Sequence, residues 1–212
     1  AGESHGKTML AMDDGFPAGL QLETDSIDHE LRRRQGGYGR GGRQRIETDT
    51  VEILTGVWKQ TTLGSPIALQ VINQDYKLEQ LEDLQRPRPG HGDLTGAVKY
   101  LGSIRGVLER ASARETCVRV AAGALAKQIL RPFGIQCIGF VDELGGMRIE
   151  KRDGDIQTWR ELRQQSEVYS LNPEQDADIK KLIDQAEENG DTLGGVLEVH
   201  VAGLPFGLGT HA

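Results

Sequence analysis

The alternation of apolar and polar positions along the chain predicts interleaved strands and helices. Five short runs carry β-forming side chains with the period of a strand: residues 8–13, 51–57, 66–72, 135–141 and 196–201. The clearest helical pattern begins at Ser112 and ends near Leu130, with Pro132 and Gly134 placed to terminate it. Because the two kinds of element alternate along the chain, the pattern predicts an α/β or α+β class.

Three shorter helices are also predicted. The first is capped by Asp25 or Ser26 and runs through Arg34, with Ile27 and Leu31 on its inner face.

The second of these helices covers residues 93 to about 100. The third has Asn172 as its cap, Pro173 at its first position and Gly190 after its end. Together these signals describe a chain with a real core and ordinary globular patterning.

Composition narrows the functional classes. The net charge is −7, with 37% hydrophobic and 27% charged residues, and no apolar run approaches the roughly 18 residues of a membrane span. This balance argues against a general nucleic-acid binder, so an anion site requires a local concentration of positive charge. Cys117 and Cys137 lack metal-ligand spacing and are interpreted as reduced core thiols of a cytoplasmic protein. We therefore expect neither a metal site nor a membrane partner.

Residues 32–45 form a segment with six arginines and five glycines, RRRQGGYGRGGRQR. Glycine lets the backbone approach a ligand closely, and guanidinium groups bind phosphate or carboxylate in a bidentate manner. One interpretation is a cationic loop that closes over an anionic substrate, and the other is a disordered segment that binds RNA. The position of the segment between a capped helix and a strand, in an acidic protein, favours the small anion.

Two histidines lie in glycine-flanked turns, His5 in AGESHGKT and His91 in RPRPGHGD. The first motif fits a relaxed P-loop pattern, but a strand rather than a helix follows it and Glu3 would repel a phosphate. We therefore reject a nucleotide-binding P-loop. An unperturbed histidine titrates near neutral pH and can donate or accept a proton, whereas many single histidines only make structural hydrogen bonds. The turns display both side chains, which keeps a catalytic role open for each.

The segment RASARE, residues 110–115, predicts a helix start with Ser112 as N-cap and Glu115 completing a capping box. Arg110 and Arg114 add positive charge beside the outward-facing amides of the helix end. The segment is interpreted either as a platform for an anion or a flavin, or as a well-capped structural helix.

Five blocks, in this order, resemble the chorismate synthase family: GESHGK, RRRQGGYGRGGRQ, RPRPGHGD, LERASARET with RVAAGALAK, and GDTLGG. The resemblance covers residues 1–209. It implies an α+β fold, a β-α-β sandwich in which antiparallel strands pack with helices. It also implies the trans-1,4 elimination of phosphate from 5-enolpyruvylshikimate-3-phosphate to give chorismate, the last common step of the shikimate pathway, with reduced FMN as the required cofactor.

The resemblance gives roles to both histidines and to one turn. His5 is expected to protonate the departing phosphate, and His91 to lie beside the reduced flavin. Arg110, Ala111 and Ser112 are expected to contact FMN.

Four arginines, Arg34, Arg40, Arg43 and Arg88, are expected to bind the phosphate and carboxylates of the substrate. NADPH is a candidate reductant of the flavin, with Arg34 and Arg40 as its candidate ligands.

The resemblance also implies that residues 1–212 form a single domain, the N-terminal portion of a family member, slightly more than half of its usual length. The C-terminal portion is absent, so we expect the chain alone to be inactive. The full-length protein is expected to be a cytoplasmic homotetramer with no nucleic-acid partner. The alternative function is a non-catalytic RNA-binding protein that uses the arginine- and glycine-rich loop.

Overall fold

A computed structural model describes residues 1–42 and 46–209. The chain divides into two compact units, the first formed by residues 1–35 and 42–126 and the second by residues 36–41 and 127–212. Each unit combines helices with antiparallel sheet, which confirms the predicted α+β class. The expectation of a single domain over residues 1–212 stays a prediction.

The first unit is built on a three-stranded antiparallel sheet. Its strands are β1 (Thr8–Asp13), β2 (Glu52–Ile53) and β5 (Ile67–Ile72), in the order β1-β5-β2. In the register of β1 and β5, Thr8 lies opposite Ile72 and Asp13 opposite Ile67. The strand predicted at residues 8–13 is confirmed. This sheet places the loop of residues 1–7 at one end of β1.

The run predicted as one strand at residues 51–57 is divided by a turn. β2 ends at Ile53, and β3 (Val57–Trp58) pairs instead with β4 (Thr61–Thr62) in a separate hairpin. Gly56 adopts a φ of 82°, and an added Cβ there would lie 2.6 Å from the Pro66 carbonyl oxygen. The close backbone approach at this glycine breaks the strand that the β-rich side chains predict.

Helix α1 (Thr24–Gln35) begins just before the two predicted caps. Ile27 and Leu31 are fully buried, as their spacing predicted. Its last turn carries Arg32, Arg33 and Arg34, where cations complement the helix dipole.

Helices α2 (Asp93–Tyr100) and α3 (Ile104–Arg110) pack against each other. A Cβ added to Gly96 of α2 would lie 2.3 Å from Cγ1 of Val107 in α3, so this contact requires glycine. The Ser103 side chain caps α3 by accepting a hydrogen bond from the Gly106 amide at 2.9 Å. Helix α2 was predicted and α3 was not.

The helix predicted from Ser112 begins as a 3₁₀ turn, Ala113–Glu115, and continues as α4 (Thr116–Leu130). The Ser112 hydroxyl caps the turn by accepting from the Arg114 amide at 3.1 Å. The Glu115 carboxylate accepts from the Arg119 guanidinium at 3.1 and 3.2 Å. It therefore pairs with Arg119 instead of completing the predicted capping box. Gly134, at a φ of 71°, follows the end of the helix as predicted.

The second unit contains a sheet in the order β7-β6-β8, formed by β6 (Gln136–Leu144), β7 (Met147–Arg148) and β8 (Gly195–Ala202). Both pairings are antiparallel. Helix α5 (Ile156–Gln165), capped by Asp155, was not predicted.

A 3₁₀ turn, Pro173–Gln175, precedes helix α6 (Asp176–Glu188). Asn172 was predicted to cap this helix, but its side chain does not do so. Its amide donates instead to the Gln175 side chain at 3.0 Å. Within the described part of the chain, no helix is both long and apolar enough to cross a membrane.

Candidate functional site

His5 lies in the turn that precedes β1, in the first unit. Its side chain is only 19% exposed, so the ring is more enclosed than the glycine-flanked turn predicted. The His5 carbonyl accepts from the amides of Lys77 and Leu78 at 3.2 and 3.0 Å. These bonds attach the turn to the loop that follows β5.

Glu109, at the end of α3, fixes the other side of the same turn. One of its carboxylate oxygens, Oε2, accepts from the His5 amide at 2.8 Å, and both oxygens lie 3.0 Å from Nδ1 of the His5 ring. The Glu109 backbone carbonyl accepts from the Ser4 amide at 2.9 Å. The Glu109 side chain is 1% exposed, and the Arg105 guanidinium, 3.6 Å away, is its nearest cationic side chain besides the histidine. A buried carboxylate thus holds both the backbone and the ring of His5.

Asp75 lies on the other edge of the His5 ring. Its Oδ2 is 3.6 Å from Nε2, longer than a hydrogen bond, and its carboxylate pairs with the Lys77 ammonium at 2.9 Å. Each of the two carboxylates beside the ring is therefore paired with a cation of its own, Glu109 with Arg105 and Asp75 with Lys77.

His91 forms a three-residue cluster with Arg88 and Asp93. Nδ1 of the ring lies 2.8 Å from Oδ1 of Asp93, and the Arg88 guanidinium donates to both Asp93 oxygens at 2.9 and 3.0 Å. Arg88 Nη2 lies 2.9 Å from Nδ1 and 3.2 Å from Nε2 of His91. A carboxylate only accepts and a guanidinium only donates, so the Asp93 contact at Nδ1 favours a proton there and the Arg88 contact at the same nitrogen favours a lone pair, and together they do not select one tautomer.

Asp93 is fully buried at the start of α2 and stays ionised. The Arg88 side-chain hydrogen bond, with further bonds from the Arg88 amide and from His91, holds the pKa of Asp93 well below its ordinary value. The pKa of Arg88 is raised, chiefly by its hydrogen bond to Asp93, and the charge of Glu109 contributes as well.

A buried polar network supports the His5 turn from below. Arg114 donates to both oxygens of Asp49 at 2.7 and 2.9 Å and to the Asn73 side chain at 2.7 Å. The Asn73 amide donates to the Gly6 carbonyl at 2.7 Å. Glu47, also buried, accepts from the Gln74 amide at 2.8 Å. The network joins Arg114 of the RASARE segment to the loop that carries the first histidine.

Arg34 belongs to this network. Its three guanidinium nitrogens donate to the Thr116 hydroxyl at 3.0 Å, to Asp49 at 3.3 Å and to the Ala113 carbonyl at 3.0 Å. Its side chain is largely buried. The structure thus gives Arg34 a supporting position, and its predicted roles toward the substrate and NADP stay predictions.

Arg40 lies in the second unit, in the part of the Arg/Gly segment formed by residues 36–41. Its guanidinium is exposed and donates to the Gly36 carbonyl at 2.9 Å. Tyr38 anchors this stretch, since its hydroxyl donates to Asp184 at 2.7 Å and the Lys180 ammonium lies 4.6 Å from its ring centroid. Arg43, the fourth predicted substrate ligand, lies outside the described residues.

Arg110, Ala111 and Ser112 form one turn between α3 and α4. Arg110 and Ala111 are exposed and Ser112 is half-buried. The Arg110 guanidinium lies 4.8 Å from the centroid of the Tyr100 ring, a cation–π contact that leaves the charge at the surface. The turn therefore offers a cation and a hydroxyl group side by side, a donor set that fits the phosphate of FMN.

Sequence reasoning missed the carboxylates that hold the histidines. Asp93 was within reach, because it follows His91 by two residues at a helix start. Glu109 is 104 positions from His5, and no local pattern indicates that contact. Across residues 1–42 and 46–209, no group of three or more His, Cys, Asp or Glu side chains is arranged to hold a metal ion.

The chain was compared with known proteins. The family model described as chorismate synthase matches residues 1–212. Chorismate synthase of Geobacter sulfurreducens is 46% identical, with all of this chain and 57% of the relative covered. Chorismate synthase of Geobacillus kaustophilus is 48% identical, with all of this chain and 58% of the relative covered.

A crystal structure of chorismate synthase is 41% identical and superposes with a TM-score of 0.82, covering all of this chain and 59% of the other. This likeness confirms the predicted fold type. The chain spans a little over half the length of the curated relatives that it matches. Since one family model matches all of residues 1–212, the chain belongs to the chorismate synthase family.

Proposed function

We propose that the protein to which this chain belongs is a chorismate synthase, which eliminates phosphate from 5-enolpyruvylshikimate-3-phosphate with reduced FMN. The observation that carries the proposal is the pairing of each motif histidine with a buried carboxylate inside one compact unit, His5 with Glu109 and His91 with Asp93. Histidines held in this way are oriented for proton transfer rather than for packing alone.

The elimination breaks a C–O bond at one end of an allylic system and a C–H bond at the other. The C–O electron pair leaves with the phosphate, the C–H pair moves into the ring to complete the diene, and a base takes the proton. A phosphate dianion is a poor leaving group, so a proton supplied as it departs lowers the barrier. We assign that proton to His5, whose ring contacts the buried carboxylate of Glu109.

Substrate binding is assigned to arginines. Arg88 is about half exposed and keeps its charge through Asp93, so it can donate to a phosphate or carboxylate from the nitrogen that Asp93 does not use. Arg40 presents an exposed guanidinium in the second unit. Arg34 and Arg43 complete the proposed set, with Arg34 also supporting the turn at Ala113.

Reduced FMN is assigned to the turn of Arg110, Ala111 and Ser112, with His91 beside it. When bound, the flavin supplies electron density that eases the elimination without net redox change. Arg110 would neutralise the flavin phosphate and Ser112 would donate to it, while Arg88 and Asp93 fix the ring of His91. NADPH as the flavin reductant, with Arg34 and Arg40 as ligands, and a homotetrameric assembly are further proposals that follow from the family.

We infer a cytoplasmic location from the free thiols Cys117 and Cys137, which suit a reducing compartment. The RNA-binding alternative has no support from the relatives. Tyr38, the aromatic residue of the Arg/Gly segment, is engaged by Asp184 and Lys180, which disfavours base stacking.

The test is an anaerobic assay of the full-length protein. Chorismate and phosphate should form in equal amounts with reduced FMN, and neither should form with oxidised FMN or without flavin. Turnover at the same rate without flavin, or no turnover under strict reduction, contradicts the proposal. RNA binding at physiological salt, measured in parallel, would favour the alternative if it occurred without elimination.

A further inference from the structure

Glu109 is a buried ionisable group to which no role has been given above beyond contact. Its carboxylate is 1% exposed and touches His5 at two places, the amide at 2.8 Å and ring Nδ1 at 3.0 Å. Burying a carboxylate without hydrogen-bond donors costs free energy of folding. Glu109 therefore depends on both donors of His5, the amide and the ring nitrogen. Arg105 is 3.6 Å away and offsets part of the charge.

The geometry determines which ring nitrogen carries the proton. An ionised carboxylate has no donor, so the contact with Nδ1 is a hydrogen bond only if Nδ1 is protonated. Nε2 is then left to exchange a proton, 3.6 Å from an Asp75 carboxylate that is already paired with Lys77. In free histidine the other tautomer, with the proton on Nε2, is the more common, so Glu109 works against the intrinsic preference.

We propose that Glu109 is a positioning residue of the elimination, which holds His5 with Nδ1 protonated and presents Nε2 to the departing phosphate. The inference rests on the proposed function. In the step itself His5 starts as the imidazolium, with both ring nitrogens protonated; the Nε2–H bond breaks with its electron pair staying on nitrogen, the proton bonds to a phosphate oxygen as the C–O bond breaks, and the ring is left neutral with its proton on Nδ1. Nδ1 keeps its proton throughout, and Glu109 carries no proton in the reaction.

The substitution Glu109→Gln tests the inference because it is nearly isosteric. Glutamine has one acceptor oxygen, and the His5 amide requires it. In the wild type both carboxylate oxygens lie 3.0 Å from Nδ1, so the glutamine places an NH₂ donor in the position of one oxygen and keeps an acceptor in the position of the other. The substitution therefore weakens the preference for a proton on Nδ1 while nearly preserving the packing.

The first measurement is ¹⁵N NMR of histidine-labelled protein at a pH where the ring is neutral, with His5 assigned by its loss in His5→Asn. The wild type should show a protonated Nδ1, and Glu109→Gln a larger fraction of rings with the proton on Nε2. Glu109→Asp keeps a carboxylate and should keep the wild-type tautomer. The matched control is Glu52→Gln, an exposed glutamate on β2 of the same unit, and it should leave the tautomer of His5 unchanged.

The second measurement is steady-state turnover of the same variants. Glu109→Gln should lower kcat by about 10²-fold, within the usual range for general acid–base groups, with KM changed less than about 3-fold. Glu109→Asp should recover about 10-fold of the loss. If the role of Glu109 were purely structural, Glu109→Gln and Glu109→Asp would lose kcat to the same extent, and the loss would parallel the fall in melting temperature.

A wild-type ring protonated on Nε2 overturns the inference, as does Glu109→Gln with unchanged tautomer and kcat. If Glu109→Gln does not fold, the wild-type tautomer and Glu109→Asp still decide the outcome. A wild type that does not eliminate phosphate contradicts the proposed function and the catalytic part of this inference, whereas the tautomer result still tests the positioning part.

Discussion

Removing Arg114 from the buried network should destabilise the first unit severely. Arg114→Met deletes two short bonds to Asp49, at 2.7 and 2.9 Å, and one to Asn73, at 2.7 Å, while keeping most of the side-chain volume. Asp49 is 1% exposed and would retain only Arg34, at 3.3 Å, as a cationic partner among its described contacts. The substitution leaves a buried charge poorly compensated, which costs about 3–5 kcal/mol of unfolding free energy.

The magnitude follows from a difference between two changes: removing one partner of a buried ion pair leaves an uncompensated charge, whereas removing both partners does not. Each charge-assisted bond contributes roughly 1.5–3 kcal/mol, but the three are not additive, because the loop around Asn73 can relax and admit water. A loss of about 4 kcal/mol is a large share of the roughly 5–15 kcal/mol that stabilises a typical domain. Arg114→Met/Asp49→Asn removes both charges and should recover part of the loss.

Urea unfolding measures the effect, with Arg119→Met as the matched control on helix α4, which follows the turn that carries Arg114. Arg119 pairs with Glu115 at 3.1 Å, but its side chain is 70% exposed, so its loss should cost about 0.5 kcal/mol or less. Equal losses for the two arginine variants would refute the reasoning, because they would show that burial does not determine what the ion pair contributes.

Three further predictions concern ligands and pH. Arg40→Ala should weaken substrate binding by roughly 1.5–3 kcal/mol in calorimetry, and Arg40→Lys should restore only part of it, whereas equal affinities would indicate a solvated loop. Ser112→Ala should weaken FMN binding in a fluorescence titration and cost about 0.5–2 kcal/mol of stability through the lost cap; unchanged FMN affinity would place the flavin elsewhere. The pKa of Glu198 lies below its ordinary value of 4.5, chiefly through Lys151 and then His200, so its stabilising contribution is present above that pH and is lost as the pH falls through the folded-state pKa. The free energy of unfolding of Glu198→Gln should therefore fall less steeply on acidification than that of the wild type, and an equally steep fall would contradict the assignment.

Local sequence patterns predicted the elements whose stabilisation is local. Helix α1 was predicted from a cap and an apolar pair, and Ile27 and Leu31 are buried as expected. Helix α3 was missed because its seven residues are stabilised by packing on Gly96 of α2, a contact that no periodicity reveals. The strand predicted at residues 51–57 is broken by the close approach of Gly56 to Pro66, which is equally non-local.

The same division applies to the site. His5 and His91 were found because glycines flank them, and Asp93 lies close to His91 in sequence. Glu109 could not be found, since only the folded chain brings α3 to the first turn. Arg34 was given its ligand-binding roles by the family resemblance, and they stay predictions; its contacts with Asp49 and the Ala113 carbonyl could not be predicted, since these groups are distant in sequence.

The central claim is that two oriented histidines of this chain serve one flavin-dependent elimination. The most direct measurement is anaerobic single-turnover chorismate formation by the full-length protein with reduced FMN, for wild type, His5→Ala and His91→Ala. The account predicts that each variant folds, still binds substrate and loses about 10²–10⁴-fold in rate. Near-wild-type rates in both variants would contradict it and would leave the two buried carboxylates with a structural role alone.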